Sequence, residues 1–195
     1  MTGGFKSGYE YLLAYKIAIP IYDYTVEFCT RCSPYHSTDL NFPKLSSPRT
    51  HDQMVQAARS GMVNISEGYK QKSLASYIKL VGVARGSIEE LLSDYLSYAR
   101  QHNIQVWNKE RVRREIRESK AIWDILNNTS TLPTSPAFPT LPTQPAVATN
   151  LLIDFCHTAG YLQDKLLISL EDKHAREGGF NENLLRKRLE YRKMH

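Results

Sequence analysis

The sequence predicts an all-α fold, an antiparallel up-and-down four-helix bundle, and three observations predict it. Apolar residues recur at three- and four-residue steps in four segments, about 11–31, 51–67, 74–102 and 150–176. Capping residues and glycines stand at the ends of these segments, and proline-bearing stretches that cannot continue a helix separate them. The expected layout is a bundle over residues 9–178 with an insertion at 104–149, followed by a short basic C-terminal helical suffix at 179–195. The insertion is expected to hold an extra basic helix at 109–126 and a Pro-rich linker at 129–149.

The first helix is expected from Tyr11 to about Arg31, with Leu12, Leu13, Ile17, Ile21, Tyr24, Val26 and Phe28 on its apolar side. Pro20 falls inside it and predicts a kink, because it removes a backbone hydrogen bond and crowds the preceding turn. Residues Ser33–Arg49, with Pro34, Pro43 and Pro48, read as a loop long enough to carry function. Thr50 with Gln53 three residues on forms a capping box, so the second helix is expected to start at His51. Met54, Val55, Ala58, Met62 and Ile65 make its stripe, and Gly68, read as a positive-φ terminator, stops it near Glu67. Ser73 caps a third helix whose stripe runs Leu74, Ile78, Val81, Ile88, Leu92, Tyr95 and Ala99 to Gln101 or His102.

One position on the third stripe is charged. Arg85 falls on the seam between Gly82 and Gly86, glycines one turn apart that would let another helix approach closely. A buried guanidinium survives only when paired, so Arg85 is expected to pair with Glu67 or Glu90, with Asn64 and Ser87 completing a structural polar network. A catalytic use of Glu67 or Glu90 is the alternative.

Asn108 is the expected N-cap of the extra helix. Lys109, Arg111, Arg113, Arg114, Arg117 and Lys120 outnumber Glu110, Glu115 and Glu118 on it, while Val112, Ile116, Ile122, Trp123 and Leu126 form a thin apolar stripe. That pattern predicts a surface helix, either a solvated face with pairs such as Glu110–Arg114 or a face that contacts phosphates. Pro133, Pro136, Pro139, Pro142 and Pro145 recur every three residues, the polyproline II period, and predict an extended spacer. The alternative is a ligand for a proline-recognising domain, with Leu132, Phe138 and Leu141 as its apolar contacts. Leu151, Leu152, Phe155, Cys156, Ala159, Leu162, Leu166 and Leu170 mark the fourth bundle helix, which ends before Gly178-Gly179. In the suffix, Arg186, Lys187, Arg188, Arg192 and Lys193 form a candidate phosphate-binding element.

The run Arg49-Thr-His-Asp-Gln-Met-Val-Gln-Ala-Ala-Arg-Ser-Gly61, then Asn64-Ile-Ser-Glu-Gly68, then Ala84-Arg-Gly-Ser87 with Glu89-Glu-Leu91, resembles the four helix bundle protein family. That family includes proteins encoded in intervening sequences of large-subunit ribosomal RNA genes and the accessory variability protein of diversity-generating retroelements. Glu177-Gly-Gly-Phe-Asn-Glu-Asn-Leu-Leu-Arg-Lys-Arg188 resembles the subgroup with a four helix bundle suffix domain. The resemblance covers about residues 9–103 and 150–192. It implies a bundle that is often a homopentamer and has no established enzymatic activity. For the retroelement relatives it implies binding of nucleic acid and of a reverse transcriptase through basic surfaces.

Composition narrows the function classes. Of 195 residues, 25 Lys and Arg against 20 Asp and Glu give a net charge of +5 and favour polyanionic partners. No apolar run approaches the ~20 residues of a membrane span and no leader pattern opens the chain, so a cytoplasmic protein without membrane contact is expected. Three cysteines argue against a disulfide framework. Cys29-Thr-Arg-Cys32 and Cys156-His157 are set against small buried thiols as the simpler explanation, and neither metal nor cofactor is expected. No catalytic motif assembles, so the expected function is a non-enzymatic, oligomeric nucleic-acid-binding accessory. The alternative is a protein-binding scaffold that uses the loop at 33–49, the proline spacer or the suffix.

Overall fold

A computed structural model of the chain describes residues 8–33, 35, 39–129 and 138–194. Among these, a single 3-10 turn at Gly8–Tyr11 precedes α1 (Leu13–Arg31), α2 (Pro48–Tyr69), α3 (Leu74–Gln101), α4 (Lys109–Glu115), α5 (Arg117–Asn128), α6 (Pro145–Glu177) and α7 (Phe180–Met194). Helices α1, α2, α3 and α6 form the bundle, each packed on two others in the cyclic order α1–α2–α3–α6. Contacts along each seam fix the directions. Cys29 near the end of α1 meets Met54 near the start of α2. Ser87 donates to Ser60 at 2.9 Å, and one end of the same seam brings Gly68 against Tyr77. Arg85 of α3 reaches Asp164 of α6, while Val81 clusters with Leu170. Ala14 packs with Leu162 and Leu166, and Arg31 at the far end of α1 donates to the carbonyl of Pro142 just before α6. Neighbours therefore run antiparallel, up and down.

The apolar stripes meet in one main core that includes Ile17, Ile21, Phe28, Met54, Ile88, Leu91, Leu151 and Phe155. Each such side chain contributes about 1.5–3 kcal/mol by leaving water. Phe28 sits at the aromatic centre, edge-on to Phe42, Tyr95 and Tyr98. Phe42 and Leu45 come from the segment between α1 and α2, and the Leu45 amide donates to the Cys32 carbonyl at 2.9 Å. The latter part of the expected loop at 33–49 thus plugs one end of the bundle. Pro34 lies outside the described residues.

Several expected boundaries are corrected. Helix α1 starts at Leu13 and not at Tyr11, and it runs as expected through Pro20, which is buried and lacks the N–H that the Lys16 carbonyl would otherwise accept from. Helix α2 begins at Pro48 with Ser47 as its cap, whose hydroxyl accepts from the Thr50 amide at 3.1 Å. Proline suits the first helical position because its missing N–H has no helical partner there and its φ is already helical. The expected start at His51 with Thr50 as cap is therefore overturned. At its other end α2 runs on through Gly68 to Tyr69. Gly68 serves close approach and not chain reversal, since a Cβ there would stand 2.6 Å from the Tyr77 ring.

The glycines expected to admit a neighbouring helix do not. A Cβ at Gly82 or Gly86 meets nothing within 4 Å, whereas one at Gly61 would stand 2.6 Å from the end of Ile88. Arg85 sits at the α3–α6 seam with its side chain 30% exposed, donating to Glu89 at 2.7 Å and Asp164 at 2.9 Å. Its partners are not Glu67 or Glu90, both exposed. Asn64 and Ser87 bond Ser60 instead, at 2.8 and 2.9 Å, a separate cluster between α2 and α3. The Arg85 guanidinium also lies against Gly160, where an added Cβ would be 3.3 Å from the guanidinium carbon.

The single basic helix expected at 109–126 is two helices, α4 and α5, divided at Ile116, whose backbone is extended. The break lets Val112 and Ile116 on one side and Ile122 and Leu126 on the other all enter the main core. The pair is built into the bundle and not laid on its surface. Two buried polar side chains hold it there. Lys16 of α1 donates to the Leu126 and Thr129 carbonyls at 3.3 and 2.7 Å, a cation at the C-terminal end of α5. Asn150 of α6 accepts from the Trp107 amide at 2.6 Å and donates to the Gln105 carbonyl at 3.0 Å, tying the α3–α4 connection to α6.

The spacer expectation holds for no described part of the proline stretch. Leu141 is buried, its amide donates to Glu27, and Arg31 bonds the Leu141 and Pro142 carbonyls. The Tyr24 hydroxyl donates to the Pro139 carbonyl. Pro145 opens α6 at its first position, several residues before the expected start at 150. Leu132, Pro133 and Pro136 lie outside the described residues. After Gly178 at φ 77°, Glu182 caps the Gly179 amide at 2.7 Å and starts α7, none of whose residues is buried.

Candidate nucleic-acid interface

The cations on α4 and α5 fall into two groups. Arg111 lies 4.2 Å from the centre of the Trp107 ring and bonds Glu115 at 3.1 Å, and Arg114 bonds Glu115 at 3.0 Å. The paired arginines hold the Glu115 carboxyl below the usual carboxylate range, Arg114 most strongly. The i,i+4 pair is thus Arg111–Glu115 and not Glu110–Arg114. Lys109, Arg113, Arg117 and Lys120 are exposed and make no ion pair among the described residues. They are the cations left for an outside anion.

Three of them surround a cavity. Lys109, Arg113 and Lys120 line a space of about 510 Å³ between α4, α5 and α6, together with Trp123, Asp154 and Tyr161. That volume is in the range of small-molecule sites. The rigid side of the cavity is Trp123, half-buried edge-on against Phe155 with ring centres 6.3 Å apart. Asp154 is 8% exposed, and its carboxylate has no hydrogen-bond or ion-pair partner among the described residues, while its carbonyl accepts from the Thr158 hydroxyl at 2.9 Å. Burial raises its carboxyl above the ordinary value, and Lys109, Arg113 and His157 oppose that rise.

Sequence reasoning found the cations and missed the carboxylate. Asp154 stands inside the apolar run Leu151–Cys156, and a lone charge in such a run was the available signal. Tyr161 lies one turn beyond His157 on the same helix and was hidden by the stronger leucine stripe.

A larger cavity of about 910 Å³ lies between α2 and α3 and has the opposite charge. Asp52, Glu89, Glu90 and Asp94 line it against the single lining cation Arg49, with the small residues Ser60 and Gly86 also in its wall. Burial, then Glu90, lifts the Asp94 carboxyl above the usual range. The two cavities thus differ in the sign of the charge that lines them. The remaining expected cations, Arg186, Lys187, Arg188, Arg192 and Lys193, are all exposed on α7.

The cysteines serve packing. Cys29, Cys32 and Cys156 are buried free thiols, and burial, with a smaller lowering from the Tyr98 hydrogen bond, pushes Cys32 up to about 11. No group of three or more His, Cys, Asp or Glu among the described residues is placed to hold a metal ion. No helix among them is long and apolar enough to cross a membrane.

A family model described as 23S rRNA-intervening sequence protein matches residues 14–128, which takes in α1 through the end of α5 and stops before α6 and α7. Comparison with curated proteins and with solved structures found no match.

Proposed function

The chain belongs to the 23S rRNA-intervening sequence protein family, and from that premise we propose that it is a non-enzymatic, oligomeric nucleic-acid-binding accessory of the cytoplasm. The observation that carries the reading is the set of unpaired cations Lys109, Arg113, Arg117 and Lys120, fixed on helices that are themselves anchored in the core. Cations on a rigid support lose little freedom on meeting phosphates, so their attraction is retained as affinity. Resemblance to retroelement accessory proteins extends the proposal to a reverse transcriptase as protein partner, which co-purification with one encoded beside the gene would test.

Oligomerisation draws on different surfaces. Helix α7 buries none of its residues, carries five of the expected cations and exposes Leu184, Leu185 and Leu189. The acidic α2–α3 cavity offers a surface of the opposite sign. In this reading α7 of one copy enters that cavity on the next, and its cations serve contact between copies. The exposed leucines equally favour the scaffold alternative, in which another protein takes α7.

Mobility-shift titration with single-stranded RNA at two salt concentrations tests the phosphate role. For four phosphate contacts, raising salt from 50 to 200 mM lowers affinity roughly 50-fold. Arg113→Glu with Arg117→Glu is expected to weaken binding at least tenfold at low salt and to flatten the salt dependence. Unchanged binding by that variant would overturn the assignment of this face.

A further inference from the structure

The cavity between α4, α5 and α6 holds more than positive charge, and a phosphate-only surface has no use for its other members. Asp154 is 8% exposed and lines this cavity, and its carboxylate makes no hydrogen bond or ion pair among the described residues. A carboxylate in a site built only for phosphate opposes the ligand. Trp123 and Tyr161 line the same cavity, with Lys165 Nζ 5.5 Å from the centre of the Tyr161 ring. Rings, a hydrogen-bond acceptor and cations around one space of about 510 Å³ match the three parts of a nucleotide: the base plane, the base edge and the phosphate.

The edge chemistry selects among bases. An ionised carboxylate only accepts hydrogen bonds. Adenine and cytosine each set a ring-nitrogen acceptor beside their amino donor, which opposes one carboxylate oxygen. Uracil and thymine have one N–H between two carbonyls. Guanine alone presents two adjacent donors, the ring N–H and the exocyclic amine, to the two oxygens of a carboxylate. Lys109 and Arg113 favour the ionised form of Asp154 that this pairing needs, yet neither lies within ion-pair distance of it.

We propose that this cavity is a guanine nucleotide site: Asp154 accepts from the base edge, Trp123 and Tyr161 stack on the base, and Lys109, Arg113 and Lys120 take the phosphate. The inference deepens the nucleic-acid reading of the same face and names the nucleotide it prefers. The guanine comes either from an unpaired position in a single strand or from a free nucleotide, since both present the same edge and phosphate.

Equilibrium titration of the full chain with GMP and with AMP tests it. The expected result is binding of GMP at least tenfold tighter than AMP. Asp154→Asn is expected to bring GMP down to the AMP level while AMP binding is retained. Arg113→Ala with Lys120→Ala is expected to weaken both nucleotides alike and keep their ratio. Equal binding of GMP and AMP by the unaltered chain, or a preference that survives Asp154→Asn, overturns the proposal; the first comparison needs no variant to fold. An oligothymidine with one central dG, compared with GMP, separates the sources: tighter binding of the strand assigns the site to nucleic acid, and equal binding assigns it to the free nucleotide. If strands bind with strong salt dependence but dG and dA are equivalent, the guanine site fails and the basic interface stands. If GMP binds selectively and no strand binds, the interface fails and the site stands.

Discussion

The burial of Asp154 is expected to lower the stability of the fold that contains it. Its carboxyl is pushed above the ordinary value by burial, against opposition from Lys109, Arg113 and His157. A carboxyl whose folded-state pKa exceeds its unfolded value of about 3.9 disfavours folding at every pH above the folded value, and the unfavourable contribution fades as pH falls through that value. Asp154→Asn is therefore expected to raise the melting temperature at pH 7, and the difference from the unaltered chain should vanish near pH 3.5. Thermal unfolding followed by circular dichroism at both pH values measures this. A variant less stable at pH 7 would show that Asp154 has a stabilising partner. The glycines give a second residue-scale contrast. A methyl at Gly68 would stand 2.6 Å from the Tyr77 ring, while one at Gly82 meets open space. Gly68→Ala is expected to destabilise by about 1–3 kcal/mol through overpacking. Gly82→Ala is expected to stabilise by up to about 1 kcal/mol through helix propensity alone. At roughly 2–4 °C per kcal/mol for a chain of this size, the two melting temperatures should move in opposite directions.

At the scale of elements, the anchoring of α5 depends on a residue far away in sequence. Lys16 donates to the Leu126 and Thr129 carbonyls, which lie past the last helical donors of α5. Lys16→Met keeps the packing volume and removes the cation. Loss of that cap should loosen the last turn of α5 locally, by about 1.4 kcal/mol or a tenfold rise in amide exchange over residues 125–129. Equal exchange in the two chains would sink the capping role. The sequence showed the four bundle helices because their stripes keep the helical period over several turns, as in Leu151, Leu152, Phe155 and Ala159. The start of α2 was misplaced because Thr50 with Gln53 reads as a capping box, whereas Pro48 at the first helical position makes Ser47 the cap. The same proline signal at Pro145 was absorbed into a three-residue proline period that looked like a rod. Gly68 was misread because a terminating glycine and a close-approach glycine are the same letter, and the ring that distinguishes them belongs to another helix. The pairing of Arg85 with Asp164 was missed for a related reason, since Asp164 lies 79 residues away in the chain, while Glu89 one turn on was passed over for Glu90.

At the scale of the whole molecule, one acidic cavity and one basic helix form separate surfaces, and this bears on assembly. The α2–α3 cavity gathers Asp52, Glu89, Glu90 and Asp94, whereas Arg186, Lys187, Arg188, Arg192 and Lys193 lie on α7. A contact that joins one surface of a copy to a different surface of the next is heterologous, and repeated with a closing rotation it makes a ring. Docking is favoured because α7 has no buried face of its own and exposes Leu184, Leu185 and Leu189 to water. Two variants separate this arrangement from a tail that meets phosphates. Removing residues 180–195 should reduce the mass measured by light scattering to that of one chain, and Glu89→Lys with Asp94→Lys should do the same with α7 intact. Both variants keep the α4–α5 cations. Each subunit should therefore still bind a short single strand, with overall affinity falling as avidity between subunits is lost. An unchanged mass in the truncated chain would exclude α7 as the link between copies. Loss of even the single-subunit affinity on truncation would return the α7 cations to the nucleic-acid interface.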